Sequence, residues 1–164
     1  MYVKLCRCSV VDNDGFGLYY SNGYGNINVI ETTIANNSNG GVYIAEMYDN
    51  QSVTLQQTTI YGNAYGVQCS GRCYIHYCSI IRNYGFGISC LQADTCEVIG
   101  TNVTDNTINL NDDIQYVIKL SATNATLTDC IVMNNNLYYG EYYYSSSCII
   151  YVNDSTIFQV CSHA

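Results

Sequence analysis

A repeat of roughly two dozen residues runs through this chain and constrains its fold more than any other feature. The stretches VKLCRCSVVDNDGFGL, INVIETTIANNSNGGV and YIHYCSIIRNYGFGI share one order. An apolar residue and two spacers precede a small Cys, Thr or Ser. One spacer then leads to Val or Ile, and two more lead to Asn, followed by Gly and an aliphatic. Aligned on the Val/Ile, the repeat reads Val10, Ile34, Ile60, Ile80, Val103, Val132 and Ile157, at spacings of 24, 26, 20, 23, 29 and 25 residues.

Positions not used for the alignment then match. Five residues earlier stand Leu5, Val29, Leu55, Ile75, Val98, Leu127 and Val152, and two before those Val3, Ile27, Val53, Cys73, Cys96, Ala125 and Ile150. Two before the anchor come Cys8, Thr32, Thr58, Cys78, Thr101, Cys130 and Ser155. Three after it lie Asn13, Asn37, Asn63, Asn83, Asn106 and Asn135, with Val160 departing in the seventh repeat. Alternation with period two sends every second side chain inward. One coil cannot bury its inner face alone, whereas stacked coils bury a continuous column with like on like. The expected fold is therefore an all-β, single-stranded parallel β-helix of about seven turns, one domain over residues 1–164. It is right-handed by the preference of parallel crossovers, and ~30–35 Å long at the usual strand spacing.

The six Asn residues are expected to form a ladder. Each amide both donates and accepts, and Asn tolerates the left-handed backbone of a sharp bend. Gly17, Gly41, Gly66 and Gly87 suit a following position of positive φ. Composition agrees, since proline and tryptophan are absent while Tyr, Val, Ile and Thr favour strands.

Charge excludes some partners. The net charge is −8, with only Lys4, Arg7, Arg72, Arg82 and Lys119 positive, so no basic stripe exists for nucleic acid or an anionic membrane. No apolar run reaches the length of a membrane span, and the first residues lack a signal-peptide core. Ten cysteines and five N-glycosylation sequons, at Asn36, Asn50, Asn102, Asn124 and Asn153, favour an extracellular or cell-surface setting. Asn36 precedes the ladder residue Asn37; Asn102 and Asn153 are expected at outward positions, and Asn50 and Asn124 in loops.

IANNSNGGVYI, TTIYGNAYGV and CSIIRNYGFGI resemble the parallel-β-helix repeats of the pectin-lyase-like superfamily. The Asn followed by Gly-Gly-Val in the second repeat also resembles the repeats of polymorphic outer-membrane adhesins. The resemblance spans essentially the whole chain and implies the fold. It implies no single function, because lyases, hydrolases, epimerases, tailspikes, adhesins and structural rods share it.

The lyases of the superfamily are implied to use clustered carboxylates for calcium and a basic residue as proton acceptor, and glycoside hydrolases need paired carboxylates. Asp12 and Asp14, Asp112 and Asp113, and the single Asp94, Asp105 and Asp129 lie on different turns, and the hydrolases' His-Gly and Arg-x-Lys signatures are missing. His76 is expected to be a lone outward imidazole. No enzyme, catalytic residue, metal site or cofactor is therefore expected. For zinc in particular, histidine is scarce and the cysteines follow the structural columns. Cys69 with Cys90, and Cys73 with Cys96, share columns of adjacent turns. Their disulfides could run between turns or within loops, Cys69 to Cys73 and Cys90 to Cys96. Alternatively they are free thiols packed as small apolar residues, as Cys8, Cys78 and Cys130 are expected to be.

Tyrosine is in surplus. Tyr138, Tyr139, Tyr142, Tyr143 and Tyr144 cluster in an irregular insertion that makes a candidate binding surface, with Tyr19, Tyr20, Tyr24, Tyr43, Tyr48 and Tyr65 elsewhere. Neither end of the repeat shows a cap, although an open turn exposes core and strand edges. The expected function is a structural segment that stacks on copies of itself or on flanking turns, into a filament or stalk. A glycan-binding adhesin module is the alternative, and a polysaccharide lyase or hydrolase ranks third.

Overall fold

The computed structural model describes residues 2–21, 24–45, 51–109, 116–139, 142–145, 150–153 and 157–161; of 109, 137–139, 142–145, 153 and 157–161 it describes the backbone alone. The strands come in threes. The first turn holds β1 (Tyr2–Cys6), β2 (Ser9–Val11) and β3 (Phe16–Ser21), and the second β4 (Asn26–Ile30), β5 (Thr33–Ala35) and β6 (Gly40–Ala45). Then follow β7 (Ser52–Gln56), β8 (Thr59–Tyr61), β9 (Val67–His76), β10 (Ser79–Ile81), β11 (Ile88–Ile99), β12 (Asn102–Thr104) and β13 (Thr107–Asn109). The remainder are β14 (Ile118–Thr128), β15 (Ile131–Met133), β16 (Asn136–Tyr139), β17 (Tyr142–Ser145), β18 (Ile150–Asn153) and β19 (Ile157–Cys161).

All pairings are parallel except that of β16 with β17, and three faces result. The short strands form a sheet β2-β5-β8-β10-β12-β15, one per turn. A second face runs β1-β4-β7 and continues through the C-terminal halves of β9, β11 and β14. The third runs β3-β6 and then through the N-terminal halves of the same strands to β18. No helix long and apolar enough to cross a membrane occurs among the described residues.

The core is a set of columns. Val29, Leu55, Ile75, Val98 and Leu127 stack from the second face, Ile34, Ile60, Ile80 and Val103 from the short sheet, and Val42, Val67, Ile88 and Ile118 from the third, all buried. Opposite the short sheet the interior is narrow. A Cβ on Gly66 would meet Ile80 Cγ2 at 2.6 Å and the Gly87 carbonyl oxygen closer still. Gly17, Gly41 and Gly87 meet comparable obstacles, and none of the four has positive φ. The expectation for these glycines is thus corrected: close approach between faces, not backbone freedom, requires them.

The Asn residues build a buried ladder. Each Oδ1 accepts the backbone N–H and the Nδ2–H of the Asn one turn earlier: at Asn63 from Asn37 (2.9 and 2.9 Å), at Asn83 from Asn63 (3.0 and 3.1 Å), at Asn106 from Asn83 (3.0 and 3.0 Å). Asn13 and Asn135 extend it at the two ends. The second Nδ2 hydrogen reaches a carbonyl of the short sheet, Ile60 for Asn83 and Ile80 for Asn106. These Asn are not left-handed. The residue before each one is, at Asp12, Asn36, Gly62, Arg82, Asp105 and Asn134, with φ between 53° and 64°. Turning the corner one residue early keeps the Asn amide inside the coil.

The seventh repeat is also corrected. β19 sets Ile157 opposite Asn124 and Val160 opposite Leu127, while β18 sets Ile150 and Val152 opposite Ile118 and Leu120. Ile150 and Val152 therefore continue the third face, not the second. Period-two alternation looks the same on either face, so the sequence pattern alone could not separate them.

The ladder predicts a gradient. Asn83→Ala strands buried groups on both neighbouring turns and should lower unfolding free energy by about 3 kcal/mol or more. Asn13→Ala, at the exposed end, should cost under about 1 kcal/mol. Gly66→Ala should destabilise severely and Gly15→Ala, with open space around it, hardly at all. Urea denaturation of the four variants checks this.

Candidate functional site

Two features stand out once the columns are placed, one on the outside of the third face and one inside it. Outside, alternation leaves Tyr19, Tyr43, Gln68, Ser89, Lys119 and Tyr151 in one register column along the axis. Tyr19 and Tyr43 stack with ring centroids 5.3 Å apart and planes 4° from parallel, and Tyr19 is 59% exposed. Phe16 packs on both, at 5.4 and 5.2 Å. Beside them Tyr65 stacks on Phe86 at 4.6 Å, and its ring fills the space over Gly40. Burial, then Tyr43, pushes the Tyr65 hydroxyl well above its ordinary range, so it stays a neutral phenol. Further along, Tyr116 and Tyr151 pair at 4.5 Å with the Lys119 ammonium over both rings, at 5.2 and 5.9 Å. The face thus carries two aromatic groups separated by Gln68 and Ser89.

Sequence reading named Tyr19, Tyr43 and Tyr65 singly and missed Phe16, Phe86, Tyr116, Lys119 and Tyr151. A signal was there: Tyr19 and Tyr43 each follow the aliphatic after the repeat's Gly, 24 residues apart. The Tyr-rich insertion is not irregular. β16 and β17 form an antiparallel hairpin setting Tyr138 opposite Tyr143, Tyr139 opposite Tyr142 and Tyr144 opposite Leu137.

Inside, the cysteines of two adjacent turns converge. Cys69 lies opposite Cys90, and Cys73 opposite Cys96, and all four are buried. Cys90 and Cys96 form a disulfide within their turn; Cys69 and Cys73 are thiols. The Cys69 and Cys90 sulfurs are 3.5 Å apart. Burial, and then Cys69, pushes the Cys73 thiol far up. Cys78 is a buried thiol that donates to the His76 carbonyl, and burial raises its pKa to about 11. Cys130 is half-buried with its thiol pushed up by burial, whereas Cys6 and Cys8 are exposed, so Cys8 is not the core residue expected.

The other candidates stay apart. His76 is not alone: its Nε2 lies 2.7 Å from Glu97 Oε1 on the next turn. Of the sequon residues, Asn36, Asn102 and Asn124 are exposed, and the Asn36 amide donates to Asp12. Asn124 lies within strand β14 and not in a loop, because β14 runs unbroken through the corner between two faces. Asn153 ends β18, and Asn50, Tyr48, Asp112 and Asp113 lie outside the described residues.

Three outcomes are expected of the cysteines. Replacing Cys90 and Cys96 by Ser should cost about 2 kcal/mol more against the oxidised parent than against the reduced one, the difference being the short loop the bond closes. Iodoacetamide at pH 8 should label Cys6 and Cys8 in the folded chain but not Cys78. The folded chain keeps the Cys78 proton that the unfolded chain releases near pH 9, so stability should fall between pH 9 and 11; Cys78→Thr should lessen this decline, the remainder coming from Cys73, Cys130 and Tyr65, which burial also holds protonated.

Comparison with curated proteins and with solved structures returned no match. A family model described as the right-handed beta helix region matches residues 45–164, most of the chain, and the protein belongs to that family.

Proposed function

We propose that this protein is a non-catalytic binding module of an extracellular or cell-surface protein, a rigid β-solenoid whose third face holds carbohydrate. The observation that carries this reading is the outward aromatic column. Stacked, partly exposed rings at fixed strand spacing offer flat apolar surface to the C–H faces of sugars, with hydroxyl tips that hydrogen-bond. Gln68, between the two aromatic groups, and Lys119, within the second, add donors and acceptors for sugar hydroxyls. The rings already pack on one another, so little side-chain entropy remains to be lost on binding. The Cys90–Cys96 disulfide and the exposed sequons support the extracellular setting.

A second reading, a structural unit stacked end to end, draws on the first turn. Val3, Leu5 and Val10 are half-buried, where Ile27, Val29 and Ile34 one turn on are fully buried. A further turn laid on β1 and β2, from flanking sequence or from another copy, would complete their burial and extend the Asn ladder from Asn13.

Glycan-array binding of the full chain tests the first reading. Saturable binding should weaken at least tenfold in Tyr19→Ser/Tyr43→Ser with the fold intact. If Tyr142→Ser/Tyr143→Ser alone abolishes binding, the hairpin is the site and the face is not; no binding to any glycan removes the module reading altogether. Sedimentation velocity across a wide concentration range addresses the second, which a monomer at every concentration would sink.

A further inference from the structure

From the cysteines of these two turns we infer a thiolate site for a soft metal cation such as Zn²⁺ in the reduced chain, before the Cys90–Cys96 disulfide closes and the oxidised protein takes up the extracellular setting proposed above. Two columns of the core meet at this bend. One reads Ile27, Val53, Cys73, Cys96, Ala125 and the other Ile44, Cys69, Cys90, Leu120. Aliphatic and small residues fill both columns on the turns either side, so packing alone does not call for sulfur. Cysteine takes over in both columns, and in the same two turns.

The spacing suits a cation. Four thiolates at the Zn–S distance of about 2.3 Å around a tetrahedral ion lie about 3.8 Å from one another. The sulfurs of Cys69, Cys73 and Cys90 all lie within 4.8 Å of each other, with Cys69 and Cys90 at 3.5 Å; Cys96, bonded to Cys90, stands outside this group of three and would turn in as the fourth donor once the bond is open. The donor set is all sulfur, which selects thiophilic ions over calcium or magnesium. The columns, read in the sequence as a reason against zinc, are what bring these donors together.

There is also a way in. A cavity of about 270 Å³ opens beside the array, lined by Cys69, Ser70, Gly71, Leu91 and Gln92 among others. The Ser70 hydroxyl is buried there without a hydrogen-bond partner. The Cys73 thiol meets Cys69 and makes a long contact of 3.8 Å to the Ser70 carbonyl. A metal–thiolate cluster would give this polar corner the outer acceptors it lacks.

The chemistry balances. A phosphine reductant and water convert the disulfide to two thiols as the phosphine becomes its oxide. Four thiols then bind one divalent cation and release four protons.

The test uses the full chain reduced with a phosphine and titrated with Co²⁺. One equivalent should bind with the intense sulfur-to-cobalt charge-transfer absorption of a tetrahedral thiolate site, and Zn²⁺ should displace it. The disulfide-intact chain and Cys69→Val/Cys73→Val, which keeps the columns filled, should bind at least a hundredfold more weakly. Cys6→Ser/Cys8→Ser should bind like the parent. Zn²⁺ should also raise the thermal midpoint of the reduced, unaltered chain. No charge-transfer band, a band surviving in Cys69→Val/Cys73→Val, or an unmoved midpoint would each overturn the site.

Discussion

The amide ladder from Asn13 to Asn135, at one corner of six successive turns, is the interaction on which the remaining structure depends. A coil that bends inward carries backbone N–H groups into a space without water, and each must find an acceptor there. The Asn Oδ1 of the following turn supplies it and takes the neighbouring Nδ2–H as well, while the second Nδ2 hydrogen satisfies a carbonyl of the short sheet. The ladder therefore fixes register between turns. A slip of one residue would leave several buried polar groups unmet at once.

With register fixed, the narrow interior follows. The short sheet presents Ile34, Ile60, Ile80 and Val103, and the strands opposite come so near that only glycine fits at Gly17, Gly41, Gly66 and Gly87. The corners either side of the short sheet use left-handed residues of many kinds, Asp12 and Arg82 before Asn13 and Asn83, and Tyr77 and Gln57 before Cys78 and Thr58. The strain of these conformations is spread along the rod and offset by the hydrogen bonds they permit.

Register also turns sequence columns into local chemistry. Residues two dozen apart become neighbours at strand spacing, so Tyr19 meets Tyr43 outside and Cys69 meets Cys90 inside. The same geometry joins His76 to Glu97 across turns. A solenoid can thus vary one face of a few turns without disturbing the core, and in this fold that is where differences in function can lie.

Much of the fold was legible in the sequence, because a stack must repeat residue types at inward positions. The Asn positions, the aliphatic columns and the pairing of Cys69 with Cys90 and of Cys73 with Cys96 all follow from spacing. The tertiary structure alone decided what depends on distance between faces. It set the reason for the glycines, since a narrow gap leaves no local mark, and the face on which Ile150 and Val152 sit, since alternation does not distinguish faces. It also set which aromatic residues meet outside, because Phe16, Tyr65 and Phe86 come together from turns and corners that no single column links.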